Sequence, residues 1–167
     1  IPIGRDTRML SLLPLSHMFE QIGGCFASMH VGAAVCYPAS RQPGALSRPM
    51  QEWKPTFIMG VPQVLTLLMN GIEREAAAQG KLKLLNRLRK FATPLPENVR
   101  RKLFRSVLGR FGGKLGMIAS GGAAIAPEAQ LTWAQTGVAV GGESLWEFLH
   151  HPDDVLRDCR PRSTEPC

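Results

Sequence analysis

Short apolar runs that stop at glycine or proline, each followed by a stretch of helical periodicity, organise this chain almost from end to end. The clearest case is 117–128, MIASGGAAIAPE, where an apolar run halts at two adjacent glycines, passes through small residues and restarts at a proline. That order reads as a buried strand, a tight turn and a helix start. The same grammar recurs upstream. An apolar run ending at Pro14 precedes helical spacing over 16–30, with Met18, Phe19, Ile22, Phe26 and Met29 recurring and Gly32 as the stop. AAVCY reads as a short buried strand, ASRQPG as a loop, and 45–53 as a short helix closed by Lys54-Pro55. TFIMGV is the next strand. Pro62 suits the first turn of the following helix, whose apolar face is Val64, Leu65, Leu68, Met69 and Ile72 and whose end lies near Gln79-Gly80.

Two further helices are expected over 81–92 and 96–111, split by TPLP. In the second, Val99, Leu103, Val107 and Leu108 form the apolar face and the basic side chains point outward. KLGMIAS, the GGAAIA turn, a helix from Pro127 and the start of a strand at VAV complete the pattern. Strands alternating with helices predict an α/β fold, a largely parallel sheet flanked by helices. Ligands of such sheets bind beyond the carboxyl ends of the strands, so the turns after Gly60 and after Ser120 are the places to look.

The 167 residues, 44% hydrophobic, suffice for one domain with a core or for a piece of a larger one. A chain that opens on Ile1 rather than Met reads as a processed product or a fragment. The net charge of +7 is concentrated in 81–114, where Glu97 is the only acid. Such a stretch can meet an anionic membrane, a nucleic acid or an acidic ligand, or can simply be a solvated helical face. Its aromatics, Phe91, Phe104 and Phe111, fall at helical core spacing. That argues against base stacking, so no nucleic-acid partner is expected. The four cysteines form no CxxC pair, and a reducing cytoplasm is the default; Cys25 and Cys36 read as small core residues. The longest uncharged run, 56–72, is broken by Gly60 and Pro62 and reads as a strand joined to a helix rather than a membrane span. His150-His151 with Asp153-Asp154 reads as a polar tail, and no metal site is assigned. Phosphate-loop, dinucleotide and nucleophile-elbow motifs are absent.

Two features remain. Without side chains at Gly121 and Gly122, a flat ligand can lie against the peptide planes; a purine ring and an acyl thread fit equally well. His17, in PLSHMFE at a helix start, can donate to a carboxylate or gate a pocket, although a histidine so placed is, taken alone, more often a capping or packing residue.

The order of motifs adds more. MLSLLPLSHMFEQIGG, VGAAVCYP, EWKPTFIMGVPQVLTLLMNGIE and GGKLGMIASGGAAIAPE together resemble the AMP-forming acyl-CoA synthetases of the adenylate-forming ligase superfamily, in particular the long-chain fatty-acid group. The resemblance spans 8–140. It implies that 1–140 is part of an N-terminal AMP-binding domain and that 141–167 is an irregular, non-homologous tail. It also implies the reaction: ATP and a fatty acid give an acyl-adenylate and pyrophosphate, and the thiol of coenzyme A then displaces AMP. By the same resemblance Ser120, Gly121, Gly122, Ala123 and Ala124 line the adenine and acyl pocket, and His17 lies beside the reacting carboxylate as the catalytic residue. Gly60, Val61 and Pro62 help shape the acyl tunnel. ATP or AMP, CoA and Mg2+ are the implied cofactors and co-substrates.

The sequence departs from that pattern at both ends. The family's phosphate loop belongs upstream of Ile1, and its magnesium-holding Tyr-Gly-x-Thr-Glu belongs near residue 145, where the chain reads GGESLWEFLHHPDD. A fragment that does not complete adenylation alone, with a frameshifted tail, is the resulting expectation. The alternatives are a non-catalytic acyl- or adenylate-binding module, or a basic domain that attaches through 81–114 to a membrane surface. The expected location is cytoplasmic, peripheral to the membrane.

Overall fold

Each apolar run closes into a strand of one sheet. The computed structural model describes residues 3–123 and 125–142. Strands β1 (Arg8–Ser11), β2 (Ala34–Cys36), β3 (Phe57–Gly60), β4 (Met117–Ser120) and β5 (Ala139–Gly142) pair in parallel in the order β2-β1-β3-β4-β5. A parallel pair needs a crossover, and the helical stretches supply it. A π-helix (Glu20–Phe26) and α1 (Ala27–Val31) join β1 to β2, and α2 (Pro43–Trp53) leads back to β3. Between β3 and β4 lie α3 (Pro62–Ala78), α4 (Leu82–Ala92), α5 (Glu97–Leu103) and α6 (Arg105–Gly109), and α7 (Pro127–Gln135) joins β4 to β5. Among the described residues no helix is long and apolar enough to cross a membrane. The boundary expected at 140 falls inside β5.

Alternation along the strands sorts the core into two. Leu10, Ile58, Ile118 and Val140 point to one face, where they meet Leu46 and Met50 of α2, Leu65, Leu68, Met69 and Ile72 of α3, and Trp133 of α7. Met9, Phe57, Met59, Met117 and Ala119 point to the other face, joined by Leu13, Phe19 and Val61. Helix α3 follows its spacing: Pro62 opens it, Leu65, Leu68, Met69 and Ile72 are buried, and it stops at Gln79-Gly80.

Several expectations fail, each for a physical reason. The expected helix runs over 18–31 rather than 16–30, and Met18, Ile22, Phe26 and Met29 are exposed, at 72%, 46%, 62% and 63%. The line facing the sheet is Glu20, Gly24 and Ser28. The two lines share a four-residue spacing, and the one with small residues approaches β1 closely enough for Ser28 Oγ to reach Met9 Sδ at 3.9 Å. The strand AAVCY is not buried: Ala34 is exposed and β2 lies at the end of the strand order. Cys25 and Cys36 are half-buried free thiols, and burial raises the Cys36 pKa.

The helix expected over 96–111 breaks at Phe104, which is buried, while Val99 and Leu103 are exposed. Its cations do not all face outward. Arg100 Nη1 donates to Ala134 O at 2.5 Å, and Arg101 Nη1 donates to Leu115 O at 2.7 Å and Gly137 O at 3.1 Å. Arg110 pairs with Glu75. In α4, Arg89 is buried, with Nη1 2.5 Å from Glu73. These two acids come from α3, outside the basic stretch. Phe91 is exposed, whereas Phe104 and Phe111 belong to the core.

Candidate functional site

Parallel strands in register bring the candidate turns to one edge. Gly60 pairs with Ser120, and Ser120 with Gly142. Beyond the last pair, Gly121 N donates to Gly60 O at 3.2 Å, so the Gly-Gly turn leaves β4 alongside the start of α3. Ser120 is buried, and its hydroxyl has no hydrogen-bond partner.

The two glycines differ. Gly121 is buried, and a Cβ there would lie 2.5 Å from the Phe19 ring. The flat group that lies against this backbone is therefore a side chain of the protein itself. Gly122 is exposed at φ +83°, a conformation that favours glycine, with nothing within 4 Å of the Cβ position. Accessible bare backbone begins at Gly122 and continues to Ala123, which is also exposed. Ala124 lies outside the described residues.

On the β3 side, Gly60 is buried, and a Cβ there would make only ordinary contacts of 3.7–3.8 Å with Leu12 and Leu65. Val61 has extended backbone, φ −96° and ψ 154°, and packs half-buried in the same apolar cluster as Phe19. Pro62 is buried in the first turn of α3 and faces the core. His17 is exposed on the turn that leaves β1; its N–H donates to Pro14 O, and its carbonyl accepts from Gln21 N, both at 3.0 Å.

Phe19 and Glu20 were not legible as site residues. Phe19 read as one more member of a helical stripe, yet it covers Gly121. Glu20 is fully buried; its carboxylate oxygens lie near the Ser11 and Tyr37 hydroxyls without reaching good hydrogen-bond geometry. Burial raises its pKa, against the opposing pull of Ser11, Tyr37 and Arg41. Tyr37 is itself pushed up to about 12, by burial and then by the Glu20 charge. The one available signal was Gly24, four residues after Glu20: an acid followed one turn later by a bare α-carbon.

At this edge the peptide groups of Gly122 are open to solvent, whereas the Ser120 hydroxyl is buried and lacks a hydrogen-bond partner. Among the described residues no group of three His, Cys, Asp or Glu side chains could hold a metal ion; His150, His151, Asp153 and Asp154 lie outside them. Two surface hollows of about 230 Å³ and 340 Å³ sit among the helices on the other side, both reaching Ile72, Glu75 and Arg110. Neither touches the Gly-Gly turn.

Comparison with known proteins identifies a family and a fold. A family model described as AMP-binding enzyme matches residues 1–143. Long chain acyl-CoA synthetase 1 of Arabidopsis thaliana is 30% identical over 138 residues, 74% of this chain and 20% of that protein. The long-chain-fatty-acid–CoA ligase ACSBG1 of Homo sapiens is 33% identical over 92 residues, 54% of this chain and 13% of its own length. The chain thus spans about a fifth or less of these relatives. The crystal structure of the anthranilate CoA ligase AuaEII in complex with anthranoyl-AMP superposes with a TM-score of 0.53 at 18% identity, covering 87% of this chain and 23% of that one. That likeness is one of fold.

Proposed function

The chain belongs to the AMP-binding enzyme family, and on that premise we propose that it is a segment of a long-chain fatty-acid–CoA ligase carrying the floor of the acyl-adenylate site. In this reading ATP and a fatty acid form an acyl-adenylate and pyrophosphate, and the CoA thiol then displaces AMP. One observation carries the assignment: bare, exposed backbone at Gly122, held by a positive φ at the carboxyl end of β4 and next to the β3 turn. Adenylation needs positioning and charge stabilisation rather than a protein nucleophile, and fixed peptide dipoles suit that need. Gly122 and Ala123 offer their peptide groups to the adenylate. Ser120, Gly121 and Gly60 hold that turn to the sheet, Val61 and Pro62 orient the neighbouring one, and His17 is the side chain assigned to the reacting carboxylate. No metal step is assigned to the described residues. The segment binds the adenylate rather than turning it over alone, in keeping with its share of the relatives' length.

The test is titration of the chain with AMP and with dodecanoyl-sulfamoyl-adenosine, a stable acyl-adenylate analogue. Binding is expected to weaken at least about tenfold, some 1.4 kcal/mol, in Gly122→Trp and in Ala123→Trp, the second of which involves no φ strain. Equal affinity in both folded variants and the parent chain would refute the site.

The exposed face of α4 favours a second, compatible reading. Lys83, Arg87 and Lys90 are exposed there beside Leu84 (54% exposed) and Phe91 (72% exposed), and α4 contains no acidic residue. Cations flanking protruding apolar groups suit the surface of an anionic bilayer. The proposed location is therefore the cytoplasmic membrane surface, where fatty acids are available. Flotation with phosphatidylserine vesicles, lost at high salt and absent with phosphatidylcholine alone, is the expected result; no lipid binding, or equal binding to both, counts against it.

A further inference from the structure

Glu20 has no role in the site as described so far, yet it is fully buried and sits at the first residue of the π-helix. A Cβ on Gly24 would overlap its carboxylate, so the bare α-carbon one turn later is the space into which the acid fits. The groups facing it come from three elements. Ser11 ends β1 and is itself fully buried, with Leu13 N donating to its hydroxyl at 3.4 Å. Tyr37 and Arg41 follow β2, and Arg41 Nη2 donates to Leu13 O at 3.2 Å. Cys25, on the π-helix, faces Tyr37. The acid thus lies where the carboxyl end of β1, the loop after β2 and the π-helix converge. The residue before it, Phe19, covers Gly121, and His17 stands on the same turn.

We propose that Glu20 is a positioning residue: its side chain, received by Gly24 and facing Ser11, clamps the π-helix to the end of β1 and so sets Phe19 against Gly121 and His17 at the mouth of the site. The clamp sits in a π turn, a rare form found frequently at functional sites. Burial disfavours the carboxylate more than the Ser11 and Tyr37 hydroxyls and Arg41 favour it, so the seat favours the protonated acid. Ionisation loosens the clamp. The use made of the clamp rests on the acyl-adenylate reading; the clamp itself does not.

The test is nuclear magnetic resonance on the isotopically labelled chain. Phe19 shifts the Gly121 Hα signal by its ring current, a shift that Phe19→Leu abolishes, and the Trp133 indole signal reports the core on the opposite face. Glu20→Gln, neutral and of the same shape, should keep the Gly121 shift. Glu20→Ala should lose it while Trp133 stays in place. In the parent chain the shift should fade as the Glu20 carboxyl carbon titrates, and in Glu20→Gln it should not. A folded Glu20→Ala that retains the Gly121 shift overturns the proposal. If that variant does not fold, a parent chain whose Gly121 shift persists after the carboxyl has ionised overturns it instead. Adding dodecanoyl-sulfamoyl-adenosine separates the two readings: no change at Gly122, with Gly121 still governed by Glu20, removes the adenylate reading and leaves the clamp.

Discussion

On one face of the sheet, α3 and α7 stack their apolar sides on Ile58, Ile118 and Val140, and cations inside that layer donate to backbone carbonyls. On the other face the π-helix and α1 lie against β1, turning small residues and one acid inward and Met18, Ile22, Phe26 and Met29 outward. The helix-covered face follows the ordinary rule of apolar inside and charge paired. The π-helix inverts it. The larger apolar cluster lies on the first face, while the second holds the turns that bear on the candidate site. The measurements that follow strain this division.

The largest effect is expected at Trp133, which is fully buried and meets Phe111 edge-on with ring centroids 5.3 Å apart. Trp133→Ala should cost about 3–5 kcal/mol in urea unfolding, the range for emptying a large aromatic site in a core. A loss under about 1 kcal/mol would mean that the helix-covered face is not the stabilising one.

Next comes Arg101, which holds the carbonyls of Leu115 and Gly137 together, before β4 and before β5. Arg101→Ala should cost about 1.5–3 kcal/mol, because it leaves the carbonyls of two buried residues without a charged donor. Lys102→Ala, one residue on and exposed, should stay within about 0.5 kcal/mol. Equal effects would restore the picture of a uniformly solvated basic stretch.

Glu20 sharpens the comparison through pH. Its native carboxyl titrates above the ordinary 4.5, chiefly because of burial. Below that value native and unfolded chains both carry the proton, and stability is indifferent to Glu20. Above it the unfolded chain releases the proton and the native chain keeps it, so stability falls as pH rises until the native carboxyl ionises too. Glu20→Gln should flatten that slope and exceed the parent chain in stability on the alkaline side. A parent chain that gains stability over the same window relative to Glu20→Gln would show that the carboxylate is paired.

How much of this was readable from residues depends on which rule governs each element. The strands and α3 were legible because apolar runs, Pro62 and the spacing from Leu65 to Ile72 all point the same way. The outward turn of the 18-22-26 line was not, because hydrophobic periodicity identifies a face without saying which protein surface it meets. The inward arginines were hidden for a related reason: their partners are carbonyls distant in sequence, which leave no trace in composition. At the site, Gly121 and Gly122 stood out as bare backbone, but only the fold distinguishes the one covered by Phe19 from the one left open.

The smallest effect belongs to the outward line itself. Phe26 is 62% exposed on the π-helix, so Phe26→Ser removes little packed surface and should change stability by no more than about 0.5 kcal/mol. Hydrophobic burial contributes in proportion to the area withdrawn from water, and most of this ring is already in it. The change should leave the Phe19–Gly121 ring-current shift where it is, since the clamp works through Glu20, Gly24 and Ser11 on the opposite line. A loss of more than about 1 kcal/mol, or a displaced Gly121 signal, would mean that the outward line helps hold the π-helix in place, and the contrast between the two faces would then be one of degree.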